Sequence, residues 1–284
     1  MSTRTRMLFA RTAKAAALVV TGGLMFAAPA TAIPLDLGSL NTGSLGAVDL
    51  GSLDPVLAPT PNLASVANFR DVAGNDGRGG YATVDGSHLK RGVIYRSNAL
   101  TATTDADKTT LTGLGLADAY DLRGATEISN PFIGGADKLP DGVTYTNIPI
   151  EFKDLTQLAT TIKSPEEAKQ FLVDTNRSFV TDPVRRAGFK QVLSDIAASD
   201  GGVQLFHCTS GKDRTGWTAM LLQSIAGVPA QTIMDDYLLS NTYLQATNEK
   251  ILAQISQALS RRWRPISSRP SVSTLRTWKL DSRR

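Results

Sequence analysis

The run VQLFHCTSGKDRTGWTAMLLQSIAG, residues 203–227, constrains the fold more than any other part of this 284-residue chain. VQLFH has the composition of an apolar strand, and a short loop leads from it into TGWTAMLLQSIAG, a helical stretch that is apolar nearly all round. A helix without a polar face belongs inside a fold, so this one is predicted to be a buried central helix ending at Gly227, with Pro229 placed to start the next. The rest of the chain supplies the layers to bury it. VIYRS (93–97), ADAYDL (117–122) and VTYTNIPI (143–150) read as strands, and further helices begin near Thr104, Pro165 and Pro183. Short strands alternating with helices predict an α/β fold, a mostly parallel central sheet flanked by helices. In the helix from Pro183, Phe189, Val192, Leu193 and Ile196 fall at i, i+3, i+4 and i+7, so one stripe faces the sheet.

The two ends of the chain have a different character. Arg4, Arg6, Arg11 and Lys14 precede a short apolar run and then Ala30-Thr31-Ala32, the pattern of a signal peptide over 1–32 cleaved after Ala32. The apolar run is interrupted by Thr21-Gly22-Gly23 and is shorter than the roughly 20 residues that span a bilayer. Residues 33–61 read as a low-complexity linker, with LDLGSL loosely repeated as VDLGSL, and 62–260 as the folded domain. Residues 261–284 form a basic tail with eight cationic groups and one acid, against 18 basic and 25 acidic groups in residues 33–260. The net charge of +4 therefore comes from the termini, and the acidic body disfavours nucleic-acid binding. The tail reads as a disordered segment, with weak contact to an anionic membrane surface through Trp263 and Trp278 as the alternative.

A single cysteine, Cys208, excludes any internal disulfide, which is unusual in an exported chain. Its position accounts for it. Cys208 starts a loop between an apolar strand and a helix N-terminus, where unpaired amides and the helix dipole favour anions and stabilise a thiolate. A nucleotide-binding Walker loop does not fit, because Asp213 follows Gly211-Lys212 and Phe206 stands where the first glycine belongs. The spacing Cys-x5-Arg-Thr points elsewhere. The loop Thr209, Ser210, Gly211, Lys212, Asp213 and Arg214 would bind a phosphate, with Arg214 gripping two of its oxygens and Thr215 offering its hydroxyl to the thiolate.

The string HCTSGKDRTG, with NFRDVAG (68–74), YRSNAL (95–100), DLRGATE (121–127) and DDYLLSN (235–241), resembles the bacterial tyrosine-protein phosphatase family over roughly residues 62–255. That resemblance implies the phosphotyrosine-phosphatase-like fold and a cysteine-dependent phosphomonoesterase that needs no metal or organic cofactor. It implies Cys208 as nucleophile, Arg214 with the loop amides as phosphate clamp, and His207 as a residue that orients the loop. The implied partners are phosphotyrosine proteins or phosphoinositides as substrates.

Two carboxylates compete for the general acid. Asp213 lies inside the loop, at the place where similar lipid phosphatases of the myotubularin type carry their acid. Asp121 ends a predicted strand facing the same crevice, and could equally pair with Arg123. Arg70, Arg96 and Arg123 could line the mouth or form ion pairs inside the body. Lys212 adds a cation suited to multiply phosphorylated inositides, or is a solvated loop lysine. Residues 151–180 could form a lid or simply surface helices. A secreted, phytase-like inositol-polyphosphate phosphatase and a non-catalytic phosphoinositide-binding module are the alternative functions.

Overall fold

Val203–His207 is the middle strand of a five-stranded sheet. The structure is a computed structural model that describes residues 60–262 apart from 75–78, 131–133, 152–161 and 163. The signal peptide, all but the end of the linker, and the tail beyond Arg262 lie outside the described residues. The elements in chain order are β1 (Arg70–Asp71), β2 (Ile94–Ser97), a 3-10 turn (Leu100–Ala102), α1 (Asp105–Gly113), β3 (Leu116–Asp121), α2 (Ala125–Ile128), β4 (Thr144–Asn147), α3 (Pro165–Thr181), α4 (Pro183–Ala198), β5 (Val203–His207), α5 (Asp213–Ile225) and α6 (Ala230–Arg262). The sheet order is β1-β2-β5-β3-β4, with β1 antiparallel to β2 and every other pairing parallel. The α/β class expected from the alternation is the one observed.

Local chemistry sets the helix starts. Thr104 caps α1 by accepting from the Asp107 amide, and Ser164 caps α3 by accepting from the Glu167 amide at 3.1 Å. Asp182 caps α4 through the amides of Val184 and Arg185, and Pro165 and Pro183 occupy first-turn positions where no N–H is missed. Residues 165–180 of the suggested lid are thus part of α3, which buries Ala168, Thr175 and Phe179. Residues 152–161 and 163 of that segment lie outside the described residues.

Two apolar clusters cover the two faces of the sheet. Tyr120, Leu122, Phe206 and Cys208 pack with Phe179, Phe189, Val192 and Ile196 from α3 and α4 on one face. Phe69, Tyr95, Leu111, Val203 and Leu205 form the other. Strand β5 alternates between them, and at about 2–3 kcal/mol for each large apolar side chain buried, Leu205 and Phe206 tie both layers to the central strand. The stripe expected on α4 is only partly right: Phe189, Val192 and Ile196 are buried, whereas Leu193 lies at the edge of a surface groove.

Helix α5 differs from expectation in a more instructive way. Its fully buried side is made of Arg214, Thr215, Gly216, Thr218, Ala219 and Gln223, mostly small or polar. The bulky Trp217, Met220 and Leu221 are half-buried along its flanks, and Ile225 is exposed. Small residues let α5 approach the sheet and α6 closely, so size and not hydrophobicity decides which side faces inward. Among the described residues, no helix is long and apolar enough to cross a membrane.

Candidate active site

The strand register brings the C-terminal ends of three parallel strands level. Ser97 on β2 and Asp121 on β3 both pair with His207 on β5, so the chain leaves the sheet at Cys208 in the crevice beyond the strand ends. Residues 208–212 then curve into the first turn of α5. Gly211 makes the curve possible: its φ is +67°, and a Cβ there would lie 2.2 Å from the Ser97 carbonyl oxygen.

The loop's carbonyls are held from outside. Ala99 N–H donates to Thr209 O (3.2 Å), Asn68 Nδ2 to Gly211 O (2.8 Å) and Ser210 O (3.5 Å), and Arg96 Nη2 to Gly211 O (3.0 Å) and Lys212 O (3.5 Å). In a trans peptide plane C=O and N–H point opposite ways, so carbonyls turned outward aim the following amides, those of residues 210–213, into the loop. This is the nest of donors that an anion needs. Asp236 of α6 anchors the holders, accepting from Arg96 Nη1 at 3.1 Å and Arg70 Nε at 3.2 Å. Arg70 also donates to the Asn68 side chain, and Asn68 itself sits at φ +57°, a conformation asparagine tolerates better than most residues. All of these side chains are buried. Arg70, Arg96 and Arg123, weighed in the sequence as mouth residues or internal ion pairs, are internal ion pairs.

Arg214 lies beneath the loop and is locked in place. Its Nη1 and Nη2 donate to Glu127 Oε2 and Oε1, both at 2.6 Å, and Nη1 also reaches Leu122 O (3.1 Å) and Ile150 O (3.2 Å). Burial works against the guanidinium's charge, but Cys208, Glu127 and Asp213 outweigh it and hold its pKa above the ordinary arginine value. Glu127 also accepts from Thr209 Oγ1 (2.6 Å) and from the Gly124 amide (3.1 Å) at the start of α2. Burial would raise the Glu127 pKa, yet hydrogen bonding and the charge of Arg214 lower it overall. Sequence reasoning missed Glu127. The usable signal was its place three residues after Gly124 in DLRGATE, where a helix-starting glutamate turns back onto the chain.

The remaining site residues separate clearly. Cys208 is buried at 3 % exposure. His207 is fully buried, its Nδ1 3.3 Å from Cys208 O and its Nε2 3.1 Å from Asp137 Oδ2. Burial raises the Asp137 pKa, but His207 and Arg123 outweigh that and lower it. Thr215 is fully buried and its hydroxyl has no hydrogen-bond partner among the described residues. Ser210 is exposed, Thr209 and Asp213 are half-buried, and Lys212 is buried at 9 % exposure.

Asp121, one of the two candidate acids, is fully buried in an ion pair with Arg123. Its carboxylate accepts from Arg123 Nε (2.9 Å) and Nη2 (2.8 Å) and from Tyr145 OH (2.9 Å), at zero exposure. Of the two readings offered by the sequence, pairing with Arg123 is the one observed. Asp121, Asp137 and His207 also group donor atoms within 4.8 Å of one another, a set that could hold a metal ion. The Arg123 guanidinium, 2.8 Å from both carboxylates, already supplies the cation there. Asp213, by contrast, lies at the edge of the loop, where Tyr237 OH donates to its Oδ1 at 3.4 Å.

The sequence is similar to those of known proteins. The profile of the tyrosine phosphatase family matches residues 61–278. The chain is 29% identical over 221 residues to the triple specificity protein phosphatase PtpB of Mycobacterium tuberculosis, covering 69% of this chain and 74% of that one. It is 31% identical over 221 residues to a tyrosine-protein phosphatase of Nostoc commune, covering 75% of this chain and 72% of the relative. A Neisseria meningitidis protein of known structure is similar over 57% of this chain and 93% of its own, at 16% identity and a TM-score of 0.31, too slight a likeness to bear on the fold.

Proposed function

Because the chain belongs to the tyrosine phosphatase family and is a phosphatase, we propose that it hydrolyses phosphotyrosine and phosphoinositide phosphomonoesters through a phosphocysteine on Cys208. The observation that carries this reading is the loop itself: a buried cysteine at the start of a loop whose carbonyls are held from outside, followed by an arginine fixed by Glu127. The Cys208 thiolate attacks phosphorus in line, forming the S–P bond as the P–O bond of the ester breaks. Asp213 gives its proton to the departing oxygen. The amides and Arg214 stabilise the equatorial oxygens as charge builds on them. Water then attacks phosphorus, Asp213 takes its proton, and the S–P bond breaks to release phosphate and restore the thiolate. Thr215, whose hydroxyl has no hydrogen-bond partner among the described residues, is suited to donate to that leaving sulfur.

Breadth of substrate is supported by Lys212, a second cation on the loop, and by the triple specificity named for the mycobacterial relative. Phosphate release should be measured from a phosphotyrosine peptide, a phosphoserine peptide, phosphoinositide vesicles and soluble inositol phosphates. Turnover of the first and third is expected, with Lys212→Ala lowering the inositide rate about tenfold and the phosphotyrosine rate less. Equal losses would remove Lys212 as a specificity residue. Preference for soluble inositol phosphates would make the protein an inositol-polyphosphate phosphatase, and tight inositide binding without release would make it a binding module.

The same reading places the enzyme outside the cytoplasm, on the strength of residues 1–32. Protein recovered from the culture medium should begin at Ile33; recovery only from cytosol, with Met1 retained, would refute export.

A further inference from the structure

Helix α6 carries two adjacent polar residues tied to the loop, Asp236 through Arg96 and Tyr237 directly. Asp236 anchors Arg96, which holds the loop's carbonyls, and Arg70, which holds Asn68. Tyr237, the next residue, places its hydroxyl 3.4 Å from Asp213 Oδ1. Its ring reaches that position because residue 216, one turn after Asp213, has no side chain. A Cβ on Gly216 would lie 2.8 Å from Cδ2 and Cε2 of the Tyr237 ring. The glycine of the Arg-Thr-Gly string is thus explained by a tyrosine 21 positions further along the chain.

We propose that Tyr237 is a positioning residue for the reaction, its hydroxyl fixing the Asp213 carboxyl at the edge of the loop where the leaving oxygen is protonated. The inference rests on the reading of Asp213 as the general acid. A hydroxyl donor at that distance serves both half-reactions. When Asp213 has given up its proton the phenol donates to the new carboxylate, and it keeps the carboxylate oriented while water is deprotonated. The phenol is suited to remain a donor: burial, then the neighbouring Asp213 charge, raises its pKa well above the ordinary tyrosine value. The same side chain lines a small apolar groove of about 290 Å³ with Trp217, Met220, Ile233 and Met234, and on the side of α5 its ring lies against Gly216.

The test compares aryl phosphates with good and poor leaving groups, p-nitrophenyl phosphate and unsubstituted phenyl phosphate. Tyr237→Phe should lower kcat for phenyl phosphate about tenfold, leave KM within about twofold, and change p-nitrophenyl phosphate turnover by no more than about twofold. In an Asp213→Asn background the same substitution should add no further loss. Equal losses on both substrates, or a full loss persisting in the Asp213→Asn protein, would mean that Tyr237 acts through the fold alone and would overturn the proposal. Failure of the underlying reading looks different: Asp213→Asn would itself slow both substrates equally. A leaving-group-sensitive Asp213→Asn protein beside a Tyr237→Phe protein that matches wild type would refute the role of Tyr237 and leave Asp213 standing.

Discussion

Cys208→Ser is expected to reduce turnover of every substrate by at least roughly 10⁴-fold while phosphate-ester binding survives. Serine keeps the size of the side chain but its hydroxyl ionises far too weakly to attack at neutral pH. The residues proposed to bind the phosphoryl group are untouched: Arg214 stays clamped by Glu127, and Asn68 and Arg96 still hold the loop's carbonyls. A phosphotyrosine peptide should therefore be retained by the variant without release of phosphate, measurable by calorimetry and by phosphate assay on one sample. Because Cys208 is the chain's one cysteine, rapid acid quench of the wild-type enzyme with substrate should yield a single phosphorylated peptide containing residue 208. Turnover by the serine variant within tenfold of wild type, or a covalent phosphate on another residue, would refute the phosphocysteine route.

The parts of this site that are local in sequence were legible, and those that depend on strand order were not. Cys208, the glycine turn, Arg214 and Thr215 lie within eight residues on one strand–loop–helix unit, so spacing alone located them. The holders of the loop come from far away: Asn68 is 143 positions from Gly211, and Arg96 is 140 from Asp236. Their meeting requires β2 to lie beside β5, which hydrophobic pattern cannot reveal. The resemblance supplied NFRDVAG, YRSNAL and DDYLLSN as strings; the structure turns them into one buried network behind the loop. Asp121 was ambiguous for a related reason. An aspartate at a strand end faces the crevice or turns sideways according to its neighbours, and here Arg123 and Tyr145 capture it. Composition also misjudged α5, since its apolar residues outnumber what its inward side can accept.

Glu127 is where that long-range contribution carries the largest testable consequence outside the loop. Glu127→Ala would leave Arg214 buried at 3 % exposure without its bidentate partner and would strip Thr209 and the Gly124 amide of their acceptor. Removing one member of a buried ion pair costs about 3–5 kcal/mol, which for a domain of this size lowers Tm by roughly 10 °C. kcat/KM should fall about 100-fold, because a guanidinium freed from Glu127 no longer holds the plane that matches the phosphoryl oxygens. Glu127→Gln separates charge from shape: it preserves the reach of the side chain, so it should recover part of Tm while kcat/KM stays depressed. The pH dependence gives an independent check. The folded-state pKa of Glu127 is lowered, so the stability it contributes is fully present above its ordinary value of 4.5 and is lost as pH falls through the folded value. Wild-type Tm should therefore drop on acidification below about pH 4.5 more steeply than that of Glu127→Gln. A glutamine variant with wild-type Tm, wild-type kcat/KM and the same acid slope would show that Arg214 is held by the Leu122 and Ile150 carbonyls alone.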